Sequence, residues 1–215
     1  MLDAAIRPAR HDDLDFLVWT MLTASISHLE RSVWETLFDA STAEVEALLR
    51  AVATSESTHW CHVDRFWIAE AGGVPAAALS TFDPEVDGTR ALMDEIATAA
   101  VQAGLSDSQL TGALERGQIF KTCSPSDYPS SWAIENVAVV PEMRGQGVID
   151  QLFAHALHLG RDEGYEHAQI MVLNGNTRAE RVYLRNGFDV RADYRGRDFE
   201  QTFGCPGVKL LALEY

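Results

Sequence analysis

Apolar residues recur along this chain with two different periods, and the alternation between them predicts the order of elements. Residues 4–7 read as a short opening strand. After Asp12 and Asp13 come Leu14, Leu17, Val18, Met21 and Leu22. That spacing of three and four places them on one side of a helix whose acidic start complements its dipole. A second helix is expected over 30–38. A third follows Ser41 and Thr42, with Glu44 placed for a capping box and Val45, Leu48, Leu49 and Val52 on one face. The period then shortens. Apolar runs at 66–71 and 75–82 flank Gly72-Gly73, a hairpin signal. Residues 84–130 turn mostly polar, with helical patches at 90–103 and 107–118, and read as an excursion between strands closed by Pro125 and Pro129.

From 132 the pattern is regular. Residues 132–140 form a strand that ends at Pro141. Ile149, Leu152, Phe153, Ala156 and Leu157 then give a helix with one buried face, stopped by Gly164. A strand at 168–173, a short helix at 177–185 stopped by Asn186-Gly187, and strands near 188–195 and 207–214 complete the chain. There are no repeats or linker-like tracts, so one domain over 1–215 is expected.

Composition changes this picture little. The chain has 215 residues, 47% hydrophobic and 23% charged, as a soluble globular protein has. Seventeen basic against 32 acidic residues give a net charge of −15. A surface that tracks phosphates needs the opposite sign, so no nucleic-acid partner is expected. The acidic field serves solubility first and the attraction of cations second. Cys61, Cys123 and Cys205 are far apart and form no framework, which fits reduced thiols and a cytoplasmic setting. Asp3 and the basic residues Arg7 and Arg10 interrupt any leader, and the longest apolar stretch is too short to span a bilayer, so no membrane partner is expected.

The candidate chemistry begins at Arg144-Gly145-Gln146-Gly147-Val148-Ile149, between a strand and a helix. Glycines let the backbone turn tightly, the unpaired N–H groups of the helix start favour an anion, and Arg144 adds a cation. This is a pyrophosphate cradle in physical terms. A dinucleotide fingerprint would need a third glycine where Asp150 stands, and the P-loop sequence is absent.

Two further segments carry a family resemblance. Arg144 and Gly147 fit the [RQ]xxGx[GA] loop of GNAT N-acetyltransferases, with Ile149 where that family usually has Gly or Ala. Asn176, Ala179, Val182-Tyr183 and Gly187-Phe188 resemble its NxxAxx[LV]YxxxGF signature at every defined position. Ile134 to Val139 followed by Pro141 looks like its central strand. The resemblance implies an α/β (α+β) fold: a twisted, mixed but mostly antiparallel sheet of six to seven strands flanked by helices, whose two central parallel strands splay apart. It implies acetyl-CoA as co-substrate, with the pantetheine arm in that wedge on the backbone of Val137, Ala138 and Val139. The pyrophosphate would lie on the loop from Arg144 through Gly145, Gln146, Gly147 and Val148 to Ile149. Asn176 would contact the cofactor, its plainer reading being a helix cap. Tyr183 would protonate the departing thiolate, its plainer reading being a core tyrosine.

Strict alternation puts Glu135 on the face of Val137 and Val139; since the resemblance implies that this strand lines the wedge holding the thioester, Glu135 is a candidate general base, the alternative being a structural carboxylate. The expected reaction is direct acetyl transfer to the primary amine of a small molecule or peptide. The rival is a non-catalytic acyl-CoA-binding module. Residues 12–40 and 84–130 are the candidate acceptor-selecting segments, the second as a lid, a dimer contact or a surface cover, so a homodimer stays open. No metal is expected. His59-Trp60-Cys61-His62 has no zinc spacing and reads as a surface loop, and His155 and His158 read as flanking the apolar stripe of their helix.

Overall fold

A computed structural model describes residues 4–215; Asp3 lies outside them. Seven strands form one sheet in the order β1-β2-β3-β4-β5-β7-β6. They are β1 (Ala5–Pro8), β2 (Phe66–Ala71), β3 (Val74–Phe82), β4 (Ser131–Val139), β5 (His167–Leu173), β6 (Asp189–Arg195) and β7 (Gly207–Glu214). Only β4 and β5 are parallel neighbours. The β2–β3 turn is Gly72-Gly73 at φ 61° and 80°, a left-handed pair that glycine adopts without steric cost.

One face of the sheet carries α1 (Leu14–Ile26), α2 (Val33–Phe38), α3 (Thr42–Ala53) and α5 (Thr89–Gln102), packed on Phe66, Ile68 and Ala78. The capping box expected at Ser41 and Glu44 is present, and matching boxes at Ser32/Glu35 and Ser106/Gln109 start α2 and α6 (Asp107–Thr122). The 84–130 excursion is helical, a short α4 (Pro84–Asp87) followed by α5 and α6. A helix that periodicity missed, α9 (Arg197–Phe203), buries Phe199 and Phe203 with Phe120, Cys123 and Val208. It is only seven residues long, too short for a 3.6-residue pattern to stand out.

The opposite face carries α7 (Val148–Asp162) and α8 (Thr177–Arg185). Leu152, Phe153 and Ala156 of α7 pack with Ala77, Leu79, Ile134 and Ile170 of the sheet and with Tyr183 and Phe188. The two helices that follow the candidate loop and the second motif are therefore held on the central strands by one buried cluster.

Candidate active site

The ladder between β4 and β5 runs only from Ser131↔His167 to Ile134↔Ile170. Beyond it β4 continues to Val139 and β5 to Leu173 without pairing, while β4 stays bonded to β3 as far as Ala77↔Val139. The centre of the sheet thus contains a wedge with unpaired strand edges, and buried backbone groups of this kind require partners. Val137, Ala138 and Val139 lie along one side of it.

A bulge shapes that side. Ala78 pairs with Ala138 but Ser80 pairs with Glu135, so Asn136 and Val137 together oppose Leu79. Asn136 has φ 53°, an uncommon backbone state for a non-glycine residue. The expectation that Glu135 shares a face with Val137 and Val139 fails here. The extra residue reverses the alternation, so Glu135 lies with Ser80, Ala78 and Ala138 on the α1–α3 face, whereas Val137 and Val139 join the cluster under α7. The Asn136 side chain locks the bulge by donating to Ser80 Oγ at 3.1 Å and to the Trp60 carbonyl at 3.4 Å.

The bulge leaves the Glu135 carboxylate at the opening of the wedge. The backbone N–H of Met171, the first β5 residue past the ladder, donates to it. Burial pushes its pKa up to about 8, with the negative charge of Asp127 adding to the rise and the Met171 N–H opposing it. Asp127 carried no signal in the sequence, because it sits in an irregular stretch between Pro125 and Pro129.

Tyr183, on α8, is 7% exposed, with its ring 5.6 Å from that of Phe153. Its hydroxyl makes no hydrogen bond among the described residues. Burial raises its pKa and the Glu135 charge raises it further, so the group stays a protonated donor and lies within electrostatic reach of the carboxylate. A carboxylate and a phenol thus lie within electrostatic reach of each other.

The loop also meets its physical requirements. Gly145 and Gly147 have φ 76° and 82°, and a Cβ on Gly145 would meet nothing within 4 Å. Gly147 caps α7, and the first helical bond is that of the Gln151 N–H to the Gly147 carbonyl at 3.3 Å. The N–H groups of Val148, Ile149 and Asp150 therefore have no helical acceptor and face the loop, where an anion is favoured. Gln146 is exposed. Arg144 is exposed too, and its Nε donates to the Val139 carbonyl at 3.2 Å, tying the loop to the strand end. Ile149 is 9% exposed and packs into the cluster below α7, so its branched side chain points away from the cradle.

Asn176 caps α8, its Oδ1 accepting from the Ala179 N–H at 3.1 Å, and its Nδ2 donates to Ser27 Oγ at 2.6 Å. The cap reading of this residue is realised, and its polar atoms are used within the protein. The surface reading of 59–62 is overturned: His59 is 0% and His62 8% exposed. His59 Nδ1 accepts from the Cys61 N–H and its Nε2 meets Ser55 Oγ at 2.9 Å, which leaves no nitrogen for a metal. This segment supports the bulge through Trp60. No group of three metal-type side chains occurs among the described residues; His155 is half-buried against Trp67, and His158 is exposed and pairs with Asp162.

No curated protein matches the chain in sequence. Solved structures do match in fold. One titled simply as an acetyltransferase has a TM-score of 0.67 at 16% identity over 98% of both chains. An N-acetyltransferase from Staphylococcus aureus Mu50 has 0.66 at 14% over 98% of this chain and 100% of that one. An apo mutant agmatine N-acetyltransferase has 0.54 at 16% over 99% and 100%. A sequence profile described as Acetyltransferase (GNAT) family matches residues 31–188, nearly three quarters of the chain and the whole of the wedge, loop and second motif. This chain belongs to the GNAT acetyltransferase family.

Proposed function

We propose that the protein transfers an acetyl group from acetyl-CoA to a primary amine directly, within a ternary complex. The observation that supports this reading is the wedge itself, with Glu135 held by the first β5 residue past the ladder and Tyr183 within electrostatic reach of it. The amine nitrogen attacks the thioester carbonyl, a C–N bond forms and the C–S bond breaks. Glu135 accepts the proton the nitrogen must lose, and Tyr183 supplies the proton the sulfur gains. The net change is one acetyl group and one proton exchanged between nitrogen and sulfur.

The cofactor's place follows from what is left unpaired. Amides of a pantetheine arm suit the free edge of β4 at Val137, Ala138 and Val139. The pyrophosphate suits the α7 start, with Gly145 and Gly147 allowing close approach and Arg144 and Gln146 at the rim. Ile149 supports this cradle from below. Asn176 contributes through its cap, which fixes the α8 start and so the position of Tyr183. The acceptor approaches from the α1–α3 face of the sheet, on which Glu135 lies.

Incubating the purified protein with acetyl-CoA and a panel of amines, and following free thiol, tests the reading. Release above background with at least one amine is expected; acyl-CoA binding without release from any would favour the non-catalytic binding module. The cradle has its own test. Gly147→Trp forces a bulky side chain into a φ of 82° at the start of α7. Acetyl-CoA affinity should fall by about tenfold or more, as loss of a charge-assisted anion contact implies. Undiminished affinity by calorimetry would move the pyrophosphate elsewhere.

A further inference from the structure

The turn that ends α1 is fastened to the turn that starts α8. Ser27, the C-cap of α1, has φ 55° and ψ −104°, an uncommon backbone state for a residue with a Cβ. Such a conformation persists only where the surroundings hold it, and it collects at functional sites. The contacts that hold it here are specific. Asn176 Nδ2 donates to Ser27 Oγ at 2.6 Å, across 149 residues of sequence, while Asn176 Oδ1 accepts from the Ala179 N–H as the cap of α8. Ser27 Oγ in turn lies 3.2 Å from His28 Nδ1.

The other side of the His28 ring returns to the same turn. Its hydrogen bond there is to the Asn174 backbone, whose N–H already donates to the Gly207 carbonyl at 2.8 Å, so the Asn174 carbonyl accepts from the ring. Nε2 is the nitrogen on that side: a Cβ on Gly175 would come within 2.6 Å of it. Gly175, at φ 104°, is therefore doubly suited to its place. Nε2 carries the ring hydrogen, Nδ1 is left as an acceptor, and the Ser27 hydroxyl donates to it while accepting from Asn176. Burial lowers the pKa of His28 against the opposing effect of the Asn174 bond, which favours this neutral form. The bonds run from Asn176 to Ser27 to His28 and back to Asn174.

The two ends of α8 are thus held by different elements. Its last turn is bound to α7 through Arg185 and Asp150, and its first turn to α1 through Asn176 and Ser27. Tyr183 stands about two helical turns beyond Asn176, so the cap and the phenol lie on one side of α8. Resting on the acetyltransferase reading, we propose that Ser27 is a positioning residue: its hydroxyl fixes the start of α8 and, through it, the Tyr183 hydroxyl, so that the end of α1, on the acceptor face of the sheet, aligns the proton donor. Misplacing a reacting group by about 1 Å costs on the order of 100-fold in rate, which gives a contact at the helix start an influence on a residue it does not touch.

Ser27→Gly tests this, because glycine adopts a φ of 55° without steric cost and only the hydroxyl contacts are lost. With an amine that wild type turns over, kcat should fall about tenfold while KM for acetyl-CoA stays within about twofold. Asn176→Ser keeps a good helix cap but loses the arm that reaches Ser27, and should lower kcat to the same extent. In a Tyr183→Phe background neither substitution should slow turnover further, since the hydroxyl they place is gone. A merely structural loss would instead add to Tyr183→Phe. An unchanged kcat in Ser27→Gly, or a fall that persists in full in Tyr183→Phe, overturns the proposal. Hydrogen exchange reads the tie without turnover: amides at 179–181 should exchange about fivefold faster in Ser27→Gly, the size of one lost hydrogen bond, with those of α7 unchanged. Unchanged exchange at 179–181 overturns the tie even where the enzyme is active. Absence of thiol release by wild type with every amine removes the acetyltransferase reading, and faster exchange at 179–181 then keeps the tie without the reaction.

Discussion

Tyr183→Phe is expected to lower turnover by about 100- to 10,000-fold, the usual range for one general acid, with acetyl-CoA affinity and thermal midpoint close to wild type. The substitution keeps the ring that packs on Phe153 and removes an oxygen that has no hydrogen-bond partner among the described residues, so the fold loses little. Chemistry loses more. A thiolate has a conjugate acid near pKa 8.5 in water, and a tyrosine with a raised pKa is a weaker acid than that. Two effects restore the balance. The desolvation that raises Tyr183 acts equally on a thiolate departing into the same wedge. The other contribution to the rise is the charge of Glu135, which disappears once Glu135 has taken the proton from the amine. Tyr183 therefore becomes the better donor at the stage when the sulfur needs one. Single-turnover thiol release under saturating substrates measures this step; an unchanged rate would assign the proton to water.

How far this site could be read from the sequence depends on which physical rule governs each part. The loop at 144–149 and the helix around Tyr183 were legible because their chemistry is local: glycines at left-handed positions, a helix start, and an apolar stripe that fixes which side of α8 is buried. The succession of strands along the chain and the excursion at 84–130 followed from periodicity in the same way. Glu135 was found for a reason that the structure corrects. Alternation assigned it to the face of Val137, and a bulge centred on Asn136 reversed that assignment, because one inserted residue inverts everything beyond it. A bulge at an asparagine leaves almost no trace in a hydrophobic pattern. His59 and His62 were misplaced for a related reason. Polar residues suggest a surface, but here a serine hydroxyl and backbone N–H groups satisfy the rings and allow them to be buried beneath the bulge. Asp127 and its support by Gln169 depend on a contact across 42 residues, which no local rule reports.

Glu135→Gln is expected to alter the pH dependence of both rate and stability, and the two changes run in opposite directions. In wild type the free base form is needed, and a pKa near 8 leaves only about a tenth of it at pH 7. The value of kcat/KM should fall about tenfold per unit from ~10.4 down to 8, where only the amine becomes protonated, and about a hundredfold per unit below pH 8, where the base is protonated as well. The glutamine variant should lose about 100- to 10,000-fold near neutral pH, lack the break near 8, and recover in part as rising pH supplies neutral amine. Stability gives an independent reading. The carboxyl has a higher pKa in the folded state than its ordinary value of 4.5, so the native protein binds more protons than the unfolded chain between about pH 4.5 and 8. Wild-type stability should therefore carry a component that is full below 4.5 and is lost as pH rises to about 8. Glutamine cannot ionise and lacks this loss, so Glu135→Gln should gain stability relative to wild type over that window while being the poorer enzyme. Urea midpoints at pH 5 and pH 8, measured beside pH–rate profiles, test both statements. A wild-type-like rate profile would leave ordered water as the base, and a stability difference that does not grow with pH would mean that the carboxylate is solvated in the resting protein.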